Sequence, residues 1–393
     1  MRSHKDMPKA AEQRHVVSIV SCHYSVEVSP FLKNICTYYR DKGWEVRVLT
    51  DALDRDPMFS IPGVRVYALN DQRRGMLHIL RLLMRVRLQA AHVLAMSMFL
   101  RMMGLRRDAV VFVADFDSLH ATRLAGVNLS QCIYLALENT ALMRRGFTRK
   151  YAASLLAQCR MRIIPDAKRA DNINDYLGTT MSFQVMPVSQ RPPLFAAEAE
   201  SPKAPPLRLV YSGYFAQWSC LSQLLPAIVQ CSRPAVTVVL QGHAMGTDEY
   251  QASLIAISSG RPHITLSRDF LSDSEHHVFL QSFHVGIACY EVDEFGNFEN
   301  MLFSSGKIAT YLWAGLAILT NIDTPLTRVP PFVLIRNWTG EGVCTALEPL
   351  TRVGALATYR EAAKALAAER YNFDEHMARL ASDCEAAVHD GSS

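Results

Sequence analysis

Short β-branched or aliphatic runs alternate with longer stretches whose apolar positions recur at helical spacing along almost the whole chain. His15 to Ser21 reads HVVSIVS, and the segment from Pro30 to Arg40 follows with helical periodicity before Gly43, a residue suited to a helix C-terminus. Trp44 to Thr50 is the next strand-like run. Val64 to Leu69, Ala109 to Ala114, Gln131 to Leu137, Arg162 to Pro165 and Phe183 to Pro187 continue the series, with helical intervals between most of them. Strands alternating with helices predict βαβ units and a parallel sheet.

From Ser189 to Leu207 the alternation stops: the chain reads SQRPPLFAAEAESPKAPPL, rich in Pro and without period, the composition of an extended linker. It then resumes with strands at Leu207 to Ser212, Ala235 to Leu240, His263 to Leu266, Val285 to Cys289 and Leu316 to Thr320. Helices are predicted at Leu221 to Cys231, Asp273 to Phe283 and Ser305 to Ala314. The predicted organisation is α/β: an N-terminal Rossmann-like domain over 1–188, a linker over 189–206, and a second Rossmann-like domain with C-terminal helices over 207–393.

Composition changes this picture in three places. With 393 residues, 49% of them hydrophobic and 20% charged, the chain is an ordinary globular protein and neither disordered nor fibrous. The apolar stretches fall short of a bilayer span and the first fifteen residues lack an apolar leader core, so the expectation is a cytoplasmic protein. Nine cysteines without a C-x-x-C pair read as reduced, mostly buried thiols. Charge is unevenly spread: residues 1–190 carry 27 Lys and Arg against 16 Asp and Glu, a net +11, while 191–393 carry 14 against 21, a net −7. The first half therefore suits an anionic partner. Nucleic acid is a poor fit, because aromatics do not interleave with the arginines.

No strand is followed by G-x-G-x-x-G, and G-x-x-x-x-G-K-[ST] is absent, which removes weight from dehydrogenase and P-loop chemistry. Instead Ser304-Ser305-Gly306-Lys307 opens the apolar helix that ends at Gly315. Free amides at a helix start, the macrodipole, hydroxyls and a lysine make an anion site. The alternative is a serine cap beside a solvated lysine.

The surrounding sequence resembles the C-terminal domain of GT-B glycosyltransferases, in particular the family-4-like group. Ser304 to Ile318, SSGKIATYLWAGLAI, is similar to that family's S-S-x-K-[IL]-x-x-Y-[LM]-x-x-G stretch. Val210 to Gly213, Val238 to Gly242 and Val285 to Tyr290 are similar to its glycine turns and to the strand between them, and Gly43 to Thr50 resembles its G-H-E-V-x-V run. The resemblance implies two Rossmann-like domains facing across a cleft, with a nucleotide-sugar donor on the second and a saccharide or lipid-linked acceptor on the first. Carried over, the donor diphosphate falls to Ser304, Ser305 and Lys307, with Gly213, Gly242 and Tyr290 beside the nucleotide. Two departures stand out: Tyr214 to Trp218 replaces the stretch that often holds a phosphate-binding Arg or Lys, and Thr310 stands where many members have Glu. Glu291 and Glu299 have the family's E-x7-E spacing, yet Glu299 lies too far upstream of Gly315 for the motif.

In the first domain Asp115-Phe116-Asp117 and Glu138 follow predicted strands, where α/β sheets bind ligands. The resemblance makes Glu138, ahead of Asp117, the candidate acid or base; each could equally cap the helix after it. A D-x-D metal site belongs to the other major glycosyltransferase fold, so no metal is expected. Arg74, His78, Arg81, Arg85, Gln89 and His92 form one helical stripe beside Met76, Leu77, Leu80 and Met84. That pattern suits an anionic membrane surface, or the outer face of a core helix. The implied activity is sugar transfer, the alternatives being a nucleotide-sugar epimerase or a non-catalytic binding or scaffold protein of the same fold.

Overall fold

The computed structural model describes residues 15–22, 29–51, 61–69, 89–137, 148–193, 206–242, 248–269, 271–291 and 301–390. Strands β1 (Val16–Ser21), β2 (Glu45–Thr50), β3 (Val64–Ala68), β4 (Val110–Ala114), β5 (Cys132–Leu135), β6 (Met161–Ile164) and β7 (Gln184–Val185) form a seven-stranded sheet in the order β3-β2-β1-β4-β5-β6-β7. A six-stranded sheet orders β8 (Leu207–Ser212), β9 (Val236–Gln241), β10 (Ile264–Ser267), β11 (Val285–Ile287), β12 (Ala317–Thr320) and β13 (Phe332–Leu334) as β10-β9-β8-β11-β12-β13. All neighbouring pairs of this second sheet are parallel. Each order reverses beside the first strand of its sheet, between β1 and β4 and between β8 and β11, the switch points where doubly wound sheets bind ligands.

Helices α1 (Pro30–Asp41), α2 (Gln89–Met102), α3 (Asp115–Leu124), α4 (Arg149–Gln158) and α5 (Ala167–Leu177) intervene in the first half. In the second lie α6 (Leu221–Gln230), α7 (Asp248–Ser258), α8 (Asp273–Gln281), α9 (Met301–Ser304), α10 (Gly306–Trp313), α11 (Gly340–Leu347), α12 (Ala355–Arg370) and α13 (Phe373–Asp390). Their ends follow local chemistry. Ser29 caps α1 with Pro30 in its first turn, Asp166 accepts the Arg169 amide at 2.9 Å to start α5, and Ser272 with Glu275 closes a capping box on α8.

Strands buried on both faces explain why the sequence shows apolar runs rather than alternation. In the second sheet Leu209, Tyr211 and Leu319 point into one core layer with Leu221 and Leu224 of α6, while Val210 and Ile318 point into the other with Ile308 and Leu312 of α10. At the other end of β4 in the first sheet, Asp108 pairs with Arg47 and accepts from Ser18, so the charges buried there are compensated.

By contacts the chain divides into two compact units: Met1–Leu135 with Ser154–Arg162 and Cys384–Ser393, and Ala136–Ala153 with Ile163–Asp383. The stretch expected as linker falls within the second unit, and its residues 194–205 lie outside the described residues. One expectation is corrected outright. Cys231 and Cys344 form a disulfide with Cα atoms 5.5 Å apart, joining the end of α6 to α11 across 113 residues of sequence, so not every thiol is reduced. Cys22, Cys36, Cys132, Cys159, Cys220 and Cys289 are buried and take no part in a disulfide, as expected. His92, expected on the charged stripe, turns inward instead: its Nε2 lies 3.2 Å from Asp51. Among the described residues no helix is long and apolar enough to cross a membrane.

Candidate functional site

The C-terminal edge of the second sheet gathers the motif residues. Gly213 ends β8 at φ +145° and Gly242 ends β9 at φ +148°, a region open to glycine. A Cβ on Gly242 would sit 1.9 Å from the Gly213 carbonyl oxygen, so the two turns pack backbone on backbone; a Cβ on Gly213 would lie 3.2 Å from Cε of Lys307. Gly242 is therefore glycine for the sake of its neighbour turn, and Gly213 leaves room for the lysine.

A directed hydrogen-bond chain fixes these turns. The Ser212 amide donates to the Tyr311 hydroxyl at 2.8 Å, and Gln241 Nε2 donates to the Asp269 carbonyl at 2.9 Å, which turns Oε1 of Gln241 toward Ser212. Ser212 must donate its single hydroxyl proton to that oxygen, so His276 Nε2, 2.8 Å from the Ser212 oxygen, carries the proton and donates. Burial, opposed by Asp273 and assisted by His277, pushes His276 down to about 4, which leaves it neutral around pH 7.

Lys307 is the second residue of α10, whose first amides have no intrahelical acceptor. Its stem is partly exposed while Nζ is fully buried and has no hydrogen-bond partner among the described residues. Three aromatic rings surround it: Nζ lies 3.9 Å from the Tyr211 ring centre, 5.3 Å from Trp218 and 5.6 Å from Tyr290. Each ring face offers a cation about 0.5–2 kcal/mol. Several kcal/mol are lost when an ammonium leaves water, so the rings only partly compensate. Burial accordingly pushes Lys307 down to about 7, with Cys289 opposing the fall slightly. The solvated-lysine alternative is thus excluded: this is a buried amine at a helix start, with no hydrogen-bond partner among the described residues.

The neighbouring hydroxyls are engaged. Ser305 occupies the cap position of α10 without a capping bond and pairs instead with the Tyr290 hydroxyl. Ser304 donates to Asp166 Oδ2 at 2.8 Å. Asp166 and Arg169, both 3% exposed, form a pair 3.4 Å apart, and Arg169 also donates to the Leu137 carbonyl at 2.6 Å, one residue before Glu138 in sequence. Tyr290 stacks on Trp218 with ring centres 6.0 Å apart and planes at 10°, and Asn321 clasps its backbone through bonds of 2.9 Å and 2.8 Å.

On the first sheet, Asp115 and Asp117 lie in the first turn of α3, directly after β4 at the switch point, and both are buried. Asp115 adopts φ +60°, uncommon for a residue with a Cβ, and the Cys22 amide donates to Ser118 at 2.8 Å to join the ends of β1 and β4. Glu138, Glu299, Arg74, Arg81 and Arg85 lie outside the described residues. Among the described residues no group of three or more His, Cys, Asp or Glu side chains could hold a metal ion. A cavity of about 660 Å³ lined by Leu207, Arg233, Glu341, Cys344 and Glu348 lies at the opposite, N-terminal edge of the second sheet and contains none of the motif residues.

Tyr211, Trp218, Asp166, Arg169 and His276 were not singled out from sequence. Asp166 had a legible signal, a Pro-Asp after a strand with Arg three residues on; the others owe their place to the pairing of distant strands.

Two doubly wound parallel sheets in these orders define the GT-B fold, and this chain has it. HepE of Anabaena, solved with UDP and glucose, matches with a TM-score of 0.65 over 95% of this chain and 100% of its own at 14% identity. A glycosyltransferase from Rickettsia africae matches at 0.63 over 96% and 99% with 8% identity. A Listeria monocytogenes protein described as a UDP-N-acetylglucosamine 2-epimerase matches at 0.59 over 96% and 98% with 12% identity. The sequence matches no protein-family model and no curated protein.

Proposed function

We propose that the protein is a glycosyltransferase that moves a sugar from a nucleoside-diphosphate donor to a saccharide or lipid-linked acceptor. The observation that carries this reading is the buried Nζ of Lys307 at the start of α10, which has no hydrogen-bond partner among the described residues. In this reading the diphosphate receives that ammonium and the first amides of α10, a charge-assisted arrangement that needs no resident cation. Ser305 reaches the diphosphate by leaving Tyr290, Gly213 and Gly242 line the approach, and Tyr290 with Trp218 forms an apolar wall. Ser304 supports the site from behind through Asp166. HepE, with UDP and glucose bound, supports a uridine nucleotide as the first donor to test.

Glu138 and Asp117 are the proposed acid or base on the acceptor side. Arg74, Arg81 and Arg85 are the proposed contacts to an anionic inner-membrane surface, where a lipid-linked acceptor would lie. Thermal and calorimetric titration with a panel of nucleoside diphosphates tests the donor site. Loss of binding in Lys307→Ala, on the order of 1.5–3 kcal/mol for a charged hydrogen bond, is the expected result, and equal affinity in mutant and parent removes the phosphate role.

The Listeria neighbour favours one second reading, epimerisation of the donor without an acceptor. Incubation with UDP-glucose and UDP-N-acetylglucosamine separates the two. A transferase releases UDP in proportion to added acceptor, whereas an epimerase forms a new nucleotide sugar in its absence.

A further inference from the structure

We propose that a nucleoside diphosphate entering this site binds together with one proton, which Lys307 Nζ takes up from solvent. The inference rests on the diphosphate reading above and adds a linked protonation that the reading alone does not require.

The geometry around Nζ supplies the reason. Nζ is buried and has no hydrogen-bond partner among the described residues. From β8 it meets the Tyr211 ring, from the turn after β8 Trp218, and from the end of β11 Tyr290, all by ring faces. Among the described residues the titratable groups around it are the hydroxyls of Tyr211, Tyr290 and, on α10 itself, Tyr311, together with the Cys289 thiol. Burial pushes each of these upward, so all four are neutral around pH 7 and none supplies a negative charge. An amine so placed sheds its proton easily, and burial holds Lys307 at about 7. A bound diphosphate brings a negative charge to Nζ and draws the proton back. Proton and anion each raise the affinity of the other, as linkage requires.

Titration calorimetry of UDP into the full chain at pH 8, repeated in buffers of different ionisation enthalpy, counts the protons. The terminal phosphate of UDP titrates near pH 6, so it is fully ionised under these conditions and contributes little. The expected result is roughly one proton taken up per UDP bound, and an affinity that falls about tenfold per unit between pH 8 and pH 9. Lys307→Arg, whose charge is permanent, is expected to bind UDP with no uptake and a level pH profile over that range. If that variant does not fold, the wild-type buffer series decides by itself. UDP binding with buffer-independent heat and a flat pH profile overturns the proposal while leaving the diphosphate site in place. Absence of any heat with UDP, GDP or pyrophosphate in every buffer overturns both.

Discussion

Replacing Gly242 and Gly213 by alanine, one at a time, separates the two reasons for a glycine at this edge. Both residues sit near φ +145°, and forcing a Cβ-bearing residue there costs about 1–3 kcal/mol. Gly242→Ala adds a second penalty, because its Cβ would stand 1.9 Å from the Gly213 carbonyl oxygen, a backbone atom held by the hydrogen-bonded ends of β8 and β9. Overpacking against atoms that cannot swing aside adds about 1–3 kcal/mol. At Gly213 the new Cβ meets Lys307 Cε at 3.2 Å, the far end of a flexible side chain that gives way. The expectation is a loss of about 2–6 kcal/mol for Gly242→Ala against about 1–3 kcal/mol for Gly213→Ala. Scanning calorimetry reads the difference, at about 2–4 °C per kcal/mol for a folding unit of this size. UDP titration supplies the second axis. Gly213→Ala is expected to weaken UDP binding by displacing Lys307 even where its thermal loss is the smaller. Equal thermal shifts, or a larger one for Gly213→Ala, would show that the two turns do not pack as described.

Other substitutions test separate links. Tyr311→Phe takes the acceptor from the half-buried Ser212 amide, and calorimetric unfolding is expected to show a loss of about 0.5–1.5 kcal/mol. Ser304→Ala removes a bond to a buried carboxylate and is expected to lower stability by about 1.5–3 kcal/mol while leaving UDP affinity within twofold; a tenfold loss would put that hydroxyl on the diphosphate instead. Transfer activity is expected to survive EDTA, and full loss rescued by Mn²⁺ or Mg²⁺ would assign Asp115 and Asp117 to a cation. Reversing Arg74, Arg81 and Arg85 to Glu is expected to release the protein from anionic liposomes at low salt, at about 1 kcal/mol per arginine, without changing UDP binding.

Much of the fold was legible because doubly buried parallel strands leave continuous aliphatic runs. VVSIVS, VVFVA and LRLVYS stand out between helical stretches that end at glycine. β13 is not legible: Phe332–Leu334 is three residues long and follows Pro330 and Pro331, which punctuate the pattern. The Cys231–Cys344 bond leaves no sequence signal for a different reason, since α6 and α11 meet only once the sheet has formed. At the site, Ser304 to Lys307 was readable as a helix start bearing a cation. What surrounds Nζ was not, because Tyr211, Trp218 and Tyr290 become neighbours only through the pairing of β8 with β11 across the switch point.

A crystal structure of the protein with UDP tests the donor site most directly. The diphosphate is expected within about 2.7–3.2 Å of Lys307 Nζ and of the amides of Gly306 and Lys307, at the C-terminal edge of the second sheet. UDP bound with its diphosphate elsewhere, and Lys307 still enclosed by Tyr211, Trp218 and Tyr290, would contradict it.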